Sequence, residues 1–201
     1  PFNNLAPLSS YLGKPGDPAK GGLPFSEYMR RQDLHRRAEI NALLDTPQFI
    51  ARAHDLYGYE HFVCDTGGSI CEVVDPENPA DEVLRTLGAN TLMVWIEGSG
   101  DHTEELIRRF DKSPKPMYYR PRFMRRIWDE FKNETNTLGG DVDPDAFVRY
   151  AYGRALRHRA PLYAAMARNW GVTVQADDVA KVRDCGDVIA LVADALATRP
   201  N

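Results

Sequence analysis

The sequence predicts an α/β fold with a parallel sheet and a helix-rich C-terminal part. Three observations carry that expectation. Two short, almost wholly apolar segments, 61–65 and 91–96, alternate with two helical patterns. The first segment ends in an aspartate and a glycine pair, Val63-Cys-Asp-Thr-Gly-Gly-Ser69. From Pro121 onward the apolar residues recur mostly at helical spacing. Strand, helix, strand, helix in that order needs crossover connections, and crossovers make the strands parallel.

Residues 1–24 are rich in proline and glycine and read as a loop-like lead-in, with one short helix over 5–12. Tyr28, Met29, Leu34, Ile40, Leu43 and Leu44 give 25–44 a helical face, and Asp45-Thr46-Pro47 opens a second helix through Tyr57. The strand 61–65 follows, nearly all apolar, as a strand covered on both faces should be. Residues 70–74 fit a short strand or a helix start, 75–87 a helix opened by Asp75-Pro76 and stopped at Gly88, and 91–96 the second strand. A helix over 102–110 completes the alternation. Pro114 and Pro116 interrupt the chain before a helix from Pro121, whose face is Phe123, Ile127, Trp128 and Phe131. Helices over 146–158 and 161–170 are separated at Pro161, a third strand covers 171–174, and an amphipathic helix covers 187–198. One domain is the simplest count: lead-in 1–24, β/α core 25–119, helical part 120–201. Three strands are fewer than sheets of this class usually hold, so further strands are expected outside this sequence.

With 43% apolar and 27% charged residues, the 201-residue chain can bury a sizeable core. A net charge of −4 argues against general nucleic-acid binding, which needs an excess of lysine and arginine. Cys64, Cys71 and Cys185 are odd in number and lack C-x-x-C spacing, which fits neither a disulfide framework nor a zinc site and points to a reducing cytoplasm. No run of about 18 apolar residues occurs, so no membrane span is expected.

An acid at the carboxyl end of a strand is costly unless hydrogen-bonded, paired or bound to a cation. Asp65 is therefore the sharpest candidate, either as a ligand of Mg²⁺, directly or through water, or as a turn cap accepting N–H bonds from Gly67 or Gly68. Gly67 and Gly68 let backbone approach a ligand, and Thr66 and Ser69 add hydroxyls to the same turn. Arg108, Arg109, Lys112, Lys115, Arg120 and Arg122 form a basic segment that can close over polyphosphate or simply be solvated. Tyr118 and Tyr119 read as core. The five histidines are too scattered for a metal site, and none is assigned catalysis.

The runs Val63–Ser69, Leu92–Ile96, Glu105–Arg109 and Lys115–Tyr119 resemble, in order, the later half of shikimate-kinase-like small-molecule kinases. Tyr11-Leu-Gly-Lys-Pro-Gly-Asp-Pro-Ala-Lys-Gly-Gly-Leu-Pro24, the run Cys64–Pro76 and the run Phe110–Tyr119 are similar, over nearly the whole chain, to a bacterial family of P-loop proteins known only as ATPases. The resemblance implies a partial P-loop kinase-like three-layer fold, lacking the N-terminal strands and phosphate loop. It also implies ATP with Mg²⁺ as cofactors and an unidentified small-molecule acceptor. Shikimate kinases have no acid at the position of Asp65, so its role as Mg²⁺ ligand rests on its expected place at a strand end and on its likeness to a Walker B acid, while Arg108 or Arg109 matches the lid arginine. Thr66, Gly67, Gly68 and Ser69 become the acceptor turn, while Lys112, Lys115 and Arg120 belong to the nucleotide-facing lid. The sequence departs from the family in having no G-x-x-x-x-G-K-S/T, and its nearest approach, 13–22, has the wrong order and two prolines. Two alternatives stay open: a non-catalytic regulatory or partner-binding module on a degenerate P-loop fold, and a nucleic-acid-binding NTPase, which the arginine-rich helices support and the acidic total opposes; a homo-oligomer is compatible with each.

Overall fold

The computed structural model of the protein describes residues 11–199. In chain order the elements are α1 (Phe25–Leu44), α2 (Thr46–Tyr57), α3 (Ile70–Val73), α4 (Glu82–Asn90), β1 (Met93–Glu97) and α5 (Gly100–Lys112). They continue as α6 (Pro121–Thr135), α7 (Pro144–Trp170), β2 (Gly171–Gln175), α8 (Ala176–Val179) and α9 (Cys185–Ala197). The α/β class is met by many helices and a small parallel sheet, in which β1 pairs with β2 from Met93↔Gly171 to Glu97↔Gln175. The helix expected over 5–12 lies outside the described residues except at Tyr11 and Leu12, which are helical.

The structure corrects three boundaries. Residues 61–65 are not a strand: 58–67 form neither helix nor strand, and Val63 is 92% exposed. Strand propensity is realised only where a neighbouring strand supplies a ladder and a packed face, and here none does. The helix expected from Asp75 starts at Glu82, because the side chains of Asp75 and Asn78 accept the N–H of Glu77 and Ala80 and hold 75–80 in turns. Asp81 then caps α4 by accepting the Leu84 N–H at 2.9 Å. Pro161 does not separate two helices but sits inside α7, on its exposed side. Proline has no N–H to give the carbonyl four residues back, that of Arg157, and both residues lie on the exposed side, where water can meet that carbonyl.

The chain divides into two compact units, Pro1–Glu39 with Glu105–Arg157 and Ile40–Glu104 with His158–Asn201. The first unit has an aromatic core. Phe123, Met124, Ile127, Trp128 and Phe131 make the buried face of α6 and meet Tyr28, Phe147, Val148 and Ala151. Phe25 stacks on Trp128 at 4.6 Å between centroids, and Phe147 meets both Trp128 and Phe131 edge-on. The glycine-rich lead-in packs onto this core. Asp17 N–H donates to the Val142 carbonyl at 2.7 Å, and a Cβ on Gly16 would come within 2.4 Å of that same oxygen.

In the second unit Leu43, Ile70, Cys71, Val74, Leu84 and Leu87 are buried, as are Val172 and Val174 of β2, against which α9 lies. Gly171 opens β2 where a Cβ would stand 2.0 Å from the Met93 carbonyl, so only glycine lets the two strands meet there. Gln175 donates to Glu97 at 3.0 Å across the carboxyl ends of the strands.

Candidate functional site

The turn at Asp65–Ser69 is built from its own backbone outward. Asp65 Oδ1 accepts the Gly67 N–H at 2.9 Å, and Gly67 adopts φ 62° with open space around its α-carbon. Aspartate suits this because its short side chain reaches its own backbone two residues on, and glycine because the left-handed conformation carries no Cβ penalty. Turn capping, one of the two roles expected of Asp65, is thus realised. Its place at the carboxyl end of a strand is not, since the preceding segment is irregular, and the carboxylate is solvent-exposed.

Below the turn the chain is fixed from α7. Tyr163 donates its hydroxyl to the Gly68 carbonyl at 2.6 Å, and the Cys71 thiol donates to that oxygen at 3.3 Å. A Cβ on Gly68 would lie 2.8 Å from the Tyr163 hydroxyl, so this glycine is required by packing rather than by φ. Burial pushes the Tyr163 hydroxyl well above its ordinary pKa, with Cys71 adding to the shift and Arg159 opposing it, which keeps the tyrosine a donor. One turn back along α7, Arg159 Nε donates to Glu72 Oε1 at 2.7 Å, with both side chains buried. Burial alone would pull the guanidinium down, but the adjacent Glu72, Tyr163 and Cys71 hold it above its ordinary value. The Tyr163 ring in turn lies 6.2 Å from that of Trp95 on β1. The turn is therefore an open loop anchored at Gly68 by Tyr163 and followed by a helix that carries a buried ion pair. Sequence reasoning missed Glu72, Arg159 and Tyr163, which lie far from the turn in sequence or carry no motif.

The loop after β1 is a second fixed turn of this unit. Ser99 N–H donates to His102 Nδ1 at 3.1 Å, while Ser99 Oγ accepts the His102 N–H at 3.4 Å, a reciprocal cap of α5. His102 Nε2 lies 3.8 Å from Asp177 Oδ1. His102 thus sits on the surface, where its role is to close a helix end.

The basic residues belong to the first unit. Arg108 and Arg109 are exposed on α5 and share one carboxylate, Glu105, with Arg109 Nε at 2.8 Å. Lys112 and Lys115 are exposed, and Arg120 occupies the N-cap position of α6. The stretch expected to act as a lid is pinned by Gln32, a fully buried residue with no sequence signal. Its Oε1 accepts the Tyr119 N–H at 3.0 Å and its Nε2 donates to the Met117 carbonyl at 3.1 Å, which also receives the Tyr28 hydroxyl at 3.2 Å. Tyr118 and Tyr119 are core, as read. The phosphate-loop imitation at 13–22 is also accounted for within this unit: Lys14 pairs with Asp145 at 2.6 Å, and Gly16 and Gly22 serve tight backbone packing.

Among the described residues no group of three or more His, Cys, Asp or Glu could hold a metal by itself. No described helix is long and apolar enough to cross a membrane. Comparison with protein-family models, with curated proteins and with solved structures returned no match.

Proposed function

We propose that the protein takes part in ATP-binding phosphoryl transfer, of small-molecule-kinase or ATPase type, with Asp65 as its Mg²⁺-facing acid. The observation that supports this reading is the Asp65–Ser69 turn: an exposed carboxylate beside an unobstructed left-handed glycine, anchored at Gly68 by Tyr163 and followed by the buried Glu72–Arg159 pair. A single carboxylate suits Mg²⁺ carried by a nucleotide, since that ion keeps its waters and phosphate oxygens and asks only one or two protein ligands. In this reading Thr66, Gly67, Gly68 and Ser69 line the acceptor side. Arg108, Arg109 and Lys112, with Lys115 and Arg120, are the first unit's own candidates for neutralising phosphate charge, because phosphoryl transfer rests on positioning and electrostatics. ATP when bound supplies the phosphoryl group, and Mg²⁺ the charge neutralisation.

Calorimetric titration of Mg²⁺-ATP into the chain, and into the full reading frame that encodes it, tests the proposal. Saturable binding weakened at least tenfold by Asp65→Asn is expected, and no binding by the full frame overturns it. A second reading, a non-catalytic partner-binding module, is favoured by the apolar side chains exposed on the second unit, among them Val63, Ile96 and Ile189.

A further inference from the structure

We propose that the free edge of β1 is a self-association surface, on which a second copy of this chain adds its own β1 antiparallel about a two-fold axis centred on Trp95. Among the described residues β1 pairs only with β2, so each strand of the sheet keeps an outer edge, and that of β1 is a row of backbone N–H and C=O groups. Proteins that keep such an edge single blunt it with lysine, proline, a bulge or an inward charge. The sequence Met93-Val-Trp-Ile96 has none of these, and the register with β2 is continuous. Val94 and Ile96 are 37% and 53% exposed although their register partners Val172 and Val174 are buried.

A second copy is the occupant that the charge pattern fits. Antiparallel pairing about Trp95 sets Val94 of one copy against Ile96 of the other, a β-branched pair of the kind that stabilises sheets. Glu97, the strand's one charge, then faces Met93 rather than another carboxylate, so no like charges meet. The product is a continuous four-stranded sheet in the order β2, β1, β1, β2, a number that stands where two strands do not. Leu92, 41% exposed just before the strand, and Val188 and Ile189 on α9 add apolar surface in the same unit.

Sedimentation velocity over a concentration series tests this on the unmodified chain and on Val94→Lys and Ile96→Lys. Both side chains are exposed, and each lysine would place a charge in the new ladder. A dimer in the tens of micromolar range is expected, with its dissociation constant raised at least tenfold in both variants while their circular dichroism is unchanged. Hydrogen exchange read by mass spectrometry on the unmodified protein guards against variants that fail to fold: protection of 93–97 should rise with protein concentration. A monomer at the highest concentration overturns the proposal. If that monomer protects both 93–97 and 61–65, a strand of the same chain covers the edge instead. A dimer that persists with both lysines, or concentration-independent protection of β1, also overturns it.

Discussion

At the scale of single residues, the buried Glu72–Arg159 pair carries the largest expected penalty. Removing one partner leaves an uncompensated charge in the interior, so Glu72→Leu should cost about 3–5 kcal/mol in denaturant unfolding. Glu72→Leu combined with Arg159→Met should recover most of that loss, because replacing both ions by apolar groups is often near neutral. If the double variant is no better than the single, the pair is not the source. A second prediction concerns acid. Hydrogen bonds from Arg30, and then from Arg31, hold the Glu27 carboxyl down to about 2 from 4.5. A depressed carboxylate contributes stability that is fully present above the unfolded value and is lost as pH falls through the folded one. The melting difference between the native protein and Glu27→Gln should therefore be full above pH 4.5 and vanish near pH 2. The residues that support the turn were not legible in advance. Asp65, Gly67 and Gly68 were visible because aspartate and glycine mark turns chemically, whereas Tyr163, Arg159 and Gln32 act through distant contacts that only the fold creates.

At the scale of elements, caps and periodicity were what the sequence made readable. The helix over Phe25–Leu44 has the bounds its apolar spacing predicts, and the predicted face of α6 is the one buried. Errors fell where a local signal competes with tertiary context: proline read as a break inside α7, and an apolar run read as a strand where no partner strand exists. Asn136 closes α6 at φ 50°, the single described non-glycine residue with positive φ. Asparagine bears that conformation better than other side chains, so Asn136→Ala should destabilise by about 1 kcal/mol in thermal or chemical denaturation. Asn136→Gly should not.

At the scale of the whole molecule, composition already limits the partners. A chain of net charge −4 releases few counterions on a polyanion. Binding to duplex or single-stranded oligonucleotides at physiological salt should therefore be weak, and its dependence on salt shallow; a steep slope in a fluorescence anisotropy titration would contradict this. The class, helices with a small parallel sheet, was legible from the alternation of patterns, but the partition into two units was not. Neither unit is a continuous stretch of sequence: each gathers segments separated by residues of the other. That arrangement orders events during synthesis. By the time Arg157 has left the ribosome, every segment of the first unit exists. The second still lacks the end of α7, β2, α8 and α9, so β1 remains an unpaired strand until Gln175 emerges. Long-range parallel pairing is slow to form, and a nascent chain offers its β1 to chaperones or to its neighbours for as long as the residues between β1 and β2, α5 to α7, are being made.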